Sequence, residues 1–146
     1  MKKHIPLLGL SVLLSCAQQD TNKVTEIEGE VMMIHDEVMP QMDDIMTLKA
    51  KLSKKILSMD SLQNEGISGN TLAEERIKAV DLNQKLNQSD KLMMDWMHGY
   101  HGDSARKLKP EQAIIYFEDQ KKKIETVKQI TTKNINDTKA FLEPAL

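Results

Sequence analysis

The chain has 146 residues, a formal net charge of −2 at pH 7, 29% charged residues and 3% aromatic residues. Such a near-balanced, slightly acidic composition gives no electrostatic argument for nucleic acid or for an anionic membrane surface as a partner. A single cysteine excludes a disulfide framework and any paired-thiol zinc or redox motif.

The chain opens with Lys2 and Lys3, an apolar run from Ile5 to Leu14, and small polar residues after it. This is the layout of a secretory signal peptide, and the run is too short to span a bilayer as a helix. Leu13-Leu14-Ser15-Cys16 resembles the bacterial lipobox. That resemblance implies a signal peptide over residues 1–15, cleavage before Cys16, and lipid on its thiol. A lone thiol exported to an oxidising compartment would be a liability unless capped, which fits. Two or more acyl chains would anchor the protein stably to a membrane through Cys16. Without Lys2 and Lys3 the remaining chain carries eighteen basic against twenty-two acidic residues and suits one domain. Residues 17–23, AQQDTNK, are polar and read with Cys16 as a lipidated tether over 16–23. The expected location is the cell envelope. Ala17 replaces the aspartate that the best-known sorting rule uses for inner-membrane retention, so the outer membrane is favoured.

From Ile27 the apolar positions Val31, Ile34, Val38, Met42, Ile45, Leu48, Leu52, Ile56, Met59 and Leu62 recur at gaps of three or four. This spacing predicts one amphipathic helix over about 24–63, kinked at Pro40. NEGISGN at 64–70 reads as a turn, and Thr71 with Glu74 as a capping box for a second helix over about 71–98. Its stripe is Leu72, Ala79, Leu82, Leu86, Met93 and Met97, with Asn83 and Asp90 at its edge and Gly99 as the stop. Residues 99–109 read as a loop, and Pro110 opens a third helix over about 110–142. There Ala113, Phe117, Ile124, Val127, Ile135 and Leu142 form the stripe, with Gln120, Thr131 and Thr138 in the same phase. The lysine run 121–123 reads as a solvated face. Residues 24–146 are thus expected to form an all-α, antiparallel three-helix bundle with long coiled-coil-like helices.

Gly-rich phosphate loops, a GxSxG elbow and CxxC or HExxH pairings are absent, and the carboxylates lie mostly among lysines. No enzyme and no catalytic residue is expected. The informative feature is methionine. Folding the first two helices about residue 67 sets His35 level with His98 or Gly99 and Met39 near Asp95. Met32, Met33, Met39, Met42, Met46, Met93, Met94 and Met97 then crowd one region together with His35, His98 and His101.

Three uses compete. Methionine fills irregular core gaps and forms adaptable interfaces, so packing, a protein partner or self-association explains it. Thioethers and imidazole also suit Cu(I), and His35, Met39, Met94, Met97 and His98 would be the ligands, with Trp96 covering the ion. In ligand type, this set resembles the Met/His/Trp sites of periplasmic copper chaperones. Haem through a His/Met pair is disfavoured because a three-helix core leaves little room for a macrocycle. No other cofactor is expected.

Asp103-Ser104-Ala105 resembles the acceptor motif of a bacterial O-glycosylation system, which implies Ser104 as the modified residue. The lipobox, HDEVMPQM at 35–42, MMDWMH at 93–98 and the lysine-rich third helix together resemble the small helical Gram-negative envelope lipoproteins often labelled "viral A-type inclusion protein". That resemblance implies a coiled-coil-like bundle and an envelope location. It assigns no activity to any residue. The expected function is a lipid-anchored, non-enzymatic binding or structural module, with a Cu(I)-binding envelope protein as the alternative.

Overall fold

The computed structural model describes residues 14–67 and 69–143, with side chains from Asp20 onwards. Five helices follow in order: α1 (Leu14–Val38), α2 (Gln41–Asn64), α3 (Asn70–Gly99), the single turn α4 (Gly102–Ala105) and α5 (Pro110–Leu142). Helices α1 and α2 form one bent arm, α3 the second and α5 the third, so the chain is an all-α helical bundle. No described helix is long and apolar enough to cross a membrane. The expected signal peptide lies outside the described residues apart from 14 and 15, and so does the Cys16 side chain.

Helix α1 is already formed at Leu14, the first described residue, rather than starting near residue 24, which makes the polar stretch 16–23 helical instead of a loose tether. Val24 and Ile27 dock against Ala105, Ala113 and Phe117. With that turn already fixed, each residue added N-terminally gains a backbone bond without a new nucleation cost.

Pro40 breaks the first arm over two residues. It has no N–H to offer the carbonyl of Asp36, and Met39 and Pro40 form a turn between α1 and α2. Gln41 compensates locally, its Nε2 donating to the carbonyl of Glu37 at 3.3 Å. The apolar phase survives the break, since Val38 and Ile45, seven residues apart, are both buried.

Interhelical pairs fix the directions. Lys121, Lys128 and Thr132 bond to Glu30, Glu37 and Gln41, each 91 positions earlier. A constant separation requires that α5 run parallel to the first arm. Lys55–Glu75 and Asp60–Arg76 instead close on the turn between α2 and α3, so α3 runs back between them. Glu30, Glu37 and Asp44 stand seven residues apart and pair with Lys121, Lys128 and Lys139, the flanking charge ladder of a coiled coil. Lys121 is therefore an interhelical partner and not part of a merely solvated face. Within the same run, Lys123 pairs with Asp119 one turn away.

The core is long and in part polar. Val31, Val38, Leu52, Leu86, Phe117 and Ile124 are fully buried. Ser89, Gln120, Thr131, Asn134 and Thr138 are buried among the apolar side chains. Asn134 Nδ2 donates to the Lys85 carbonyl and to Ser89 Oγ, both at 3.0 Å, and Thr138 donates to the Asn134 carbonyl at 2.8 Å. Such a buried amide satisfies its bonds in one register of α3 on α5, as a polar core position does in coiled coils.

Two local expectations fail at α3. The helix starts one residue earlier than Thr71, with Gly69 at the N-cap and no side-chain capping bond, so Thr71 and Glu74 form no capping box. Trp96 takes the buried stripe position expected for Met97, which is half-buried beside it.

Candidate functional site

The flank of the first arm that meets α3 is set by seven-residue spacing. Glu28 contacts Tyr100, His35 contacts Trp96, Met42 packs on the central core, and Lys49 pairs with Asp90 at 3.8 Å. One step further round the same helical face come Met32, Met39 and Met46, each four residues after Glu28, His35 and Met42. They are exposed, at 37%, 38% and 70%. On α3, Asp90 and Met97 lie seven residues apart on the facing flank, and Met94, 44% exposed, lies just outside them. A methionine-lined seam thus runs between the first arm and α3.

The expected metal ligands divide across this seam. His35 is largely enclosed, its ring centroid 5.5 Å from that of Trp96 at a tilt of 31°, and its Nδ1 is 2.9 Å from Asp36 Oδ1. Met97 packs half-buried beside Trp96 on the core, with Met39 and Met94 on the rims. His98 does not join them. Opposite His35 stands Trp96 rather than His98, because the indole belongs to the buried stripe while His98 is exposed a step further round α3. Among the described residues no group of three or more His, Cys, Asp or Glu side chains could hold a metal ion.

At the end of the seam nearest the α1 N-terminus the connector is tied down residue by residue. From Trp96 an aromatic run continues to Tyr100 at 5.1 Å, and Tyr100 lies 6.4 Å from Tyr116 and 6.5 Å from Phe117. The His101 backbone N–H donates to the Tyr116 hydroxyl at 2.6 Å, and Tyr100 donates to Glu28 at 3.3 Å. Arg106 bridges Glu28 and Asp103. Gly102 and Ala105 of α4 are buried under these contacts, so the segment expected as a plain loop contains a docked helical turn. Ser104 is exposed on α4 and lines a surface cavity of about 520 Å³ with Glu28, Tyr100 and Arg106. Sequence reasoning missed this network because its signal is two tyrosines and an arginine with no periodicity.

Burial, then the neighbouring Glu28 carboxylate, pushes the Tyr100 hydroxyl up to about 12. The folded protein therefore holds its phenol proton beyond the unfolded value of about 10. The stability this contributes is complete below about pH 10 and is lost as the pH rises towards 12. Phenolate absorbance should resolve Tyr100 as a tyrosine ionising near pH 12. In urea unfolding, Tyr100→Phe should flatten the alkaline decline. An unchanged decline would place its origin elsewhere.

No family model, no curated protein and no solved structure matches the chain.

Proposed function

We propose that the protein is a lipid-anchored, non-enzymatic binding module of the cell envelope whose methionine seam receives an apolar helix of a partner protein. The observation that carries this is the exposed row Met32, Met39 and Met46 at seven-residue spacing, with Met94 across the seam. Three side chains so spaced present about 20 Å of apolar edge along the helix, nearly four turns, so that a docked helix would meet one methionine at every second turn. Unbranched thioethers adapt to a partner's shape without a preformed pocket. Lys2, Lys3, the apolar leader and LLSC at 13–16 support the envelope address and lipid on Cys16. Ala17 favours the outer membrane. The likeness to small helical envelope lipoproteins points the same way.

A photo-crosslinking residue placed in living cells at Met39, Met46 or Met94 tests the seam, with Lys122 and Gln129 on α5 as controls. A discrete protein adduct confined to the seam positions is expected, together with loss of membrane retention in Cys16→Ser. Adducts of equal yield at the α5 controls, or none at the seam, would sink the idea.

A second reading draws on the His35–Trp96 contact. With Nδ1 engaged by Asp36, imidazole Nε2 is left for a soft ion, and Met39, Met94 and Met97 would supply thioethers for Cu(I). His98, on the outer face, drops out of that set. Competition for Cu(I) against a chelator decides: tight one-to-one binding that His35→Ala abolishes would put copper first, and no competition leaves the seam to a partner.

A further inference from the structure

Helix α5 ends short of the turn that joins α2 to α3. Phe141 and Leu142, in the last turn of α5, pack on the same core cluster as Ile56, and the Phe141 ring lies 5.2 Å from Lys55 Nζ and 5.5 Å from Lys78 Nζ. Helix α2 continues from there to Asn64, and α3 starts at Asn70. An overhang of about eight residues is ~12 Å of paired helices. Helix α5 ends at Leu142, with Glu143 as its extended C-cap. Among the described residues nothing fills the track that α5 occupies along the rest of the bundle, and it continues here as a groove of about 420 Å³ floored by Met59, Leu62 and Leu72.

The charge of the track changes at the same place. Where α5 is present, the first arm offers it Glu30, Glu37 and Asp44, and α5 answers with lysines. The next position at this spacing is Lys51, joined on the groove wall by Lys54 and Lys55. Lys55 is matched by Glu75 at 3.2 Å, whereas among the described residues Lys51 and Lys54 have no ion-pair partner. Lys78 adds a further positive charge where the groove begins. A lysine-flanked helix such as α5 is thus repelled from this stretch, and an acid-flanked one is attracted.

We infer that this groove receives the end of an amphipathic helix from another protein, two to three turns long, apolar on its inner side and acidic on its flanks. The site is separate from the methionine seam and lies at the end of the bundle remote from residue 16. A concave apolar floor between two helices accepts a third helix by the packing that holds α5 on the rest of the bundle.

Fluorescence anisotropy on the intact chain tests this with two dye-labelled helical peptides. Both carry the same leucine face, and they differ only in having glutamate or lysine on the flanks. The glutamate peptide should bind about tenfold more tightly than the lysine peptide, the sum of a few partly exposed charge pairs. Lys51→Glu with Lys54→Glu should reverse the order, and both positions are exposed, so the fold is kept. Leu57→Ser with Ile77→Ser, off the groove wall, should leave it unchanged. Equal binding of the two peptides, or an order indifferent to the lysine substitutions, overturns the inference. So does a lysine-dependent loss of sedimentation with phosphatidylglycerol vesicles in the absence of peptide preference, which would make the site a membrane contact. A lysine-dependent dimer in sedimentation velocity, again without peptide preference, would make the occupant a second copy.

Discussion

Phe117→Ala should destabilise the bundle by about 3–5 kcal/mol, the usual cost of removing a fully buried phenyl ring and leaving its cavity. Phe117 has no exposed surface and sits where three helices meet: Val24 and Ile27 of α1, Ala105 of α4, and Ala113 one turn before it on α5. Two of those neighbours are alanines, too small to close the space. The Tyr116 ring, 5.3 Å away and edge-on, is held at its far side by the His101 N–H. Collapse into the cavity is therefore restricted and the loss should fall high in the range. Against a total stability of about 5–15 kcal/mol this is a large fraction. Trp96 is the only tryptophan, so urea unfolding followed by its fluorescence reports on the neighbouring core. Phe117→Leu, which keeps most of the volume, should cost less than about 1.5 kcal/mol. Amide exchange should speed up first in the early turns of α1, because Val24 and Ile27 lose their main contact there. A cost under about 1 kcal/mol for Phe117→Ala would mean that α1 and α4 are not packed at this end as described.

Where residues decide their own environment by spacing, the sequence is readable. Val38 and Ile45 keep one phase across Pro40, and both are core. Gln120, Thr131 and Thr138 fall in the α5 stripe despite their polarity, and all three are buried. Period is a local property, so it survives in the sequence. Offset between helices is not local. Glu30, Glu37 and Asp44 announce a ladder by their seven-residue spacing, but which lysines answer them depends on how the 99–109 connector lays α5 beside the first arm. The same dependence hid the partner of His35. A register off by less than one turn exchanges His98 for Trp96, and with it a second imidazole for an indole ring. Asn134 was obscured by Ile135, since adjacent residues at a stripe edge compete for one interior direction, and here both are buried. The methionines were legible as an apolar flank, while what meets that flank is information no single chain contains.

Gly102→Ala should destabilise the protein by about 1–3 kcal/mol, the range for forcing extra atoms into a filled site. A Cβ there would lie 2.8 Å from the Tyr100 hydroxyl and 2.9 Å from two of its ring carbons. Nothing in the backbone of Gly102 demands glycine, since its φ is not positive, so the constraint is the ring alone. The far end of a flexible chain could move aside, but Tyr100 cannot move freely. Its ring lies between Trp96 and the Tyr116–Phe117 pair, and its hydroxyl is held by Glu28. Relief therefore requires either lifting α4 from the bundle or pushing Tyr100 outwards, away from the carboxylate. Both routes expose the phenol, so the substitution carries a second signature besides stability: the Tyr100 ionisation, held up to about 12 by burial and Glu28, should fall back towards the ordinary value near 10. A merely local softening of the connector would lower the unfolding midpoint without moving that titration. Tyr100→Ala provides the control. It removes the ring and leaves a cavity of its own, so it is destabilising alone, yet adding Gly102→Ala to it should cost nearly nothing further, because the atoms that clash are gone. Such non-additivity is expected only for side chains in direct contact. Full additivity of the two substitutions would show that Gly102 and Tyr100 are not packed against each other, and would remove the basis for reading α4 as a docked turn rather than a surface loop.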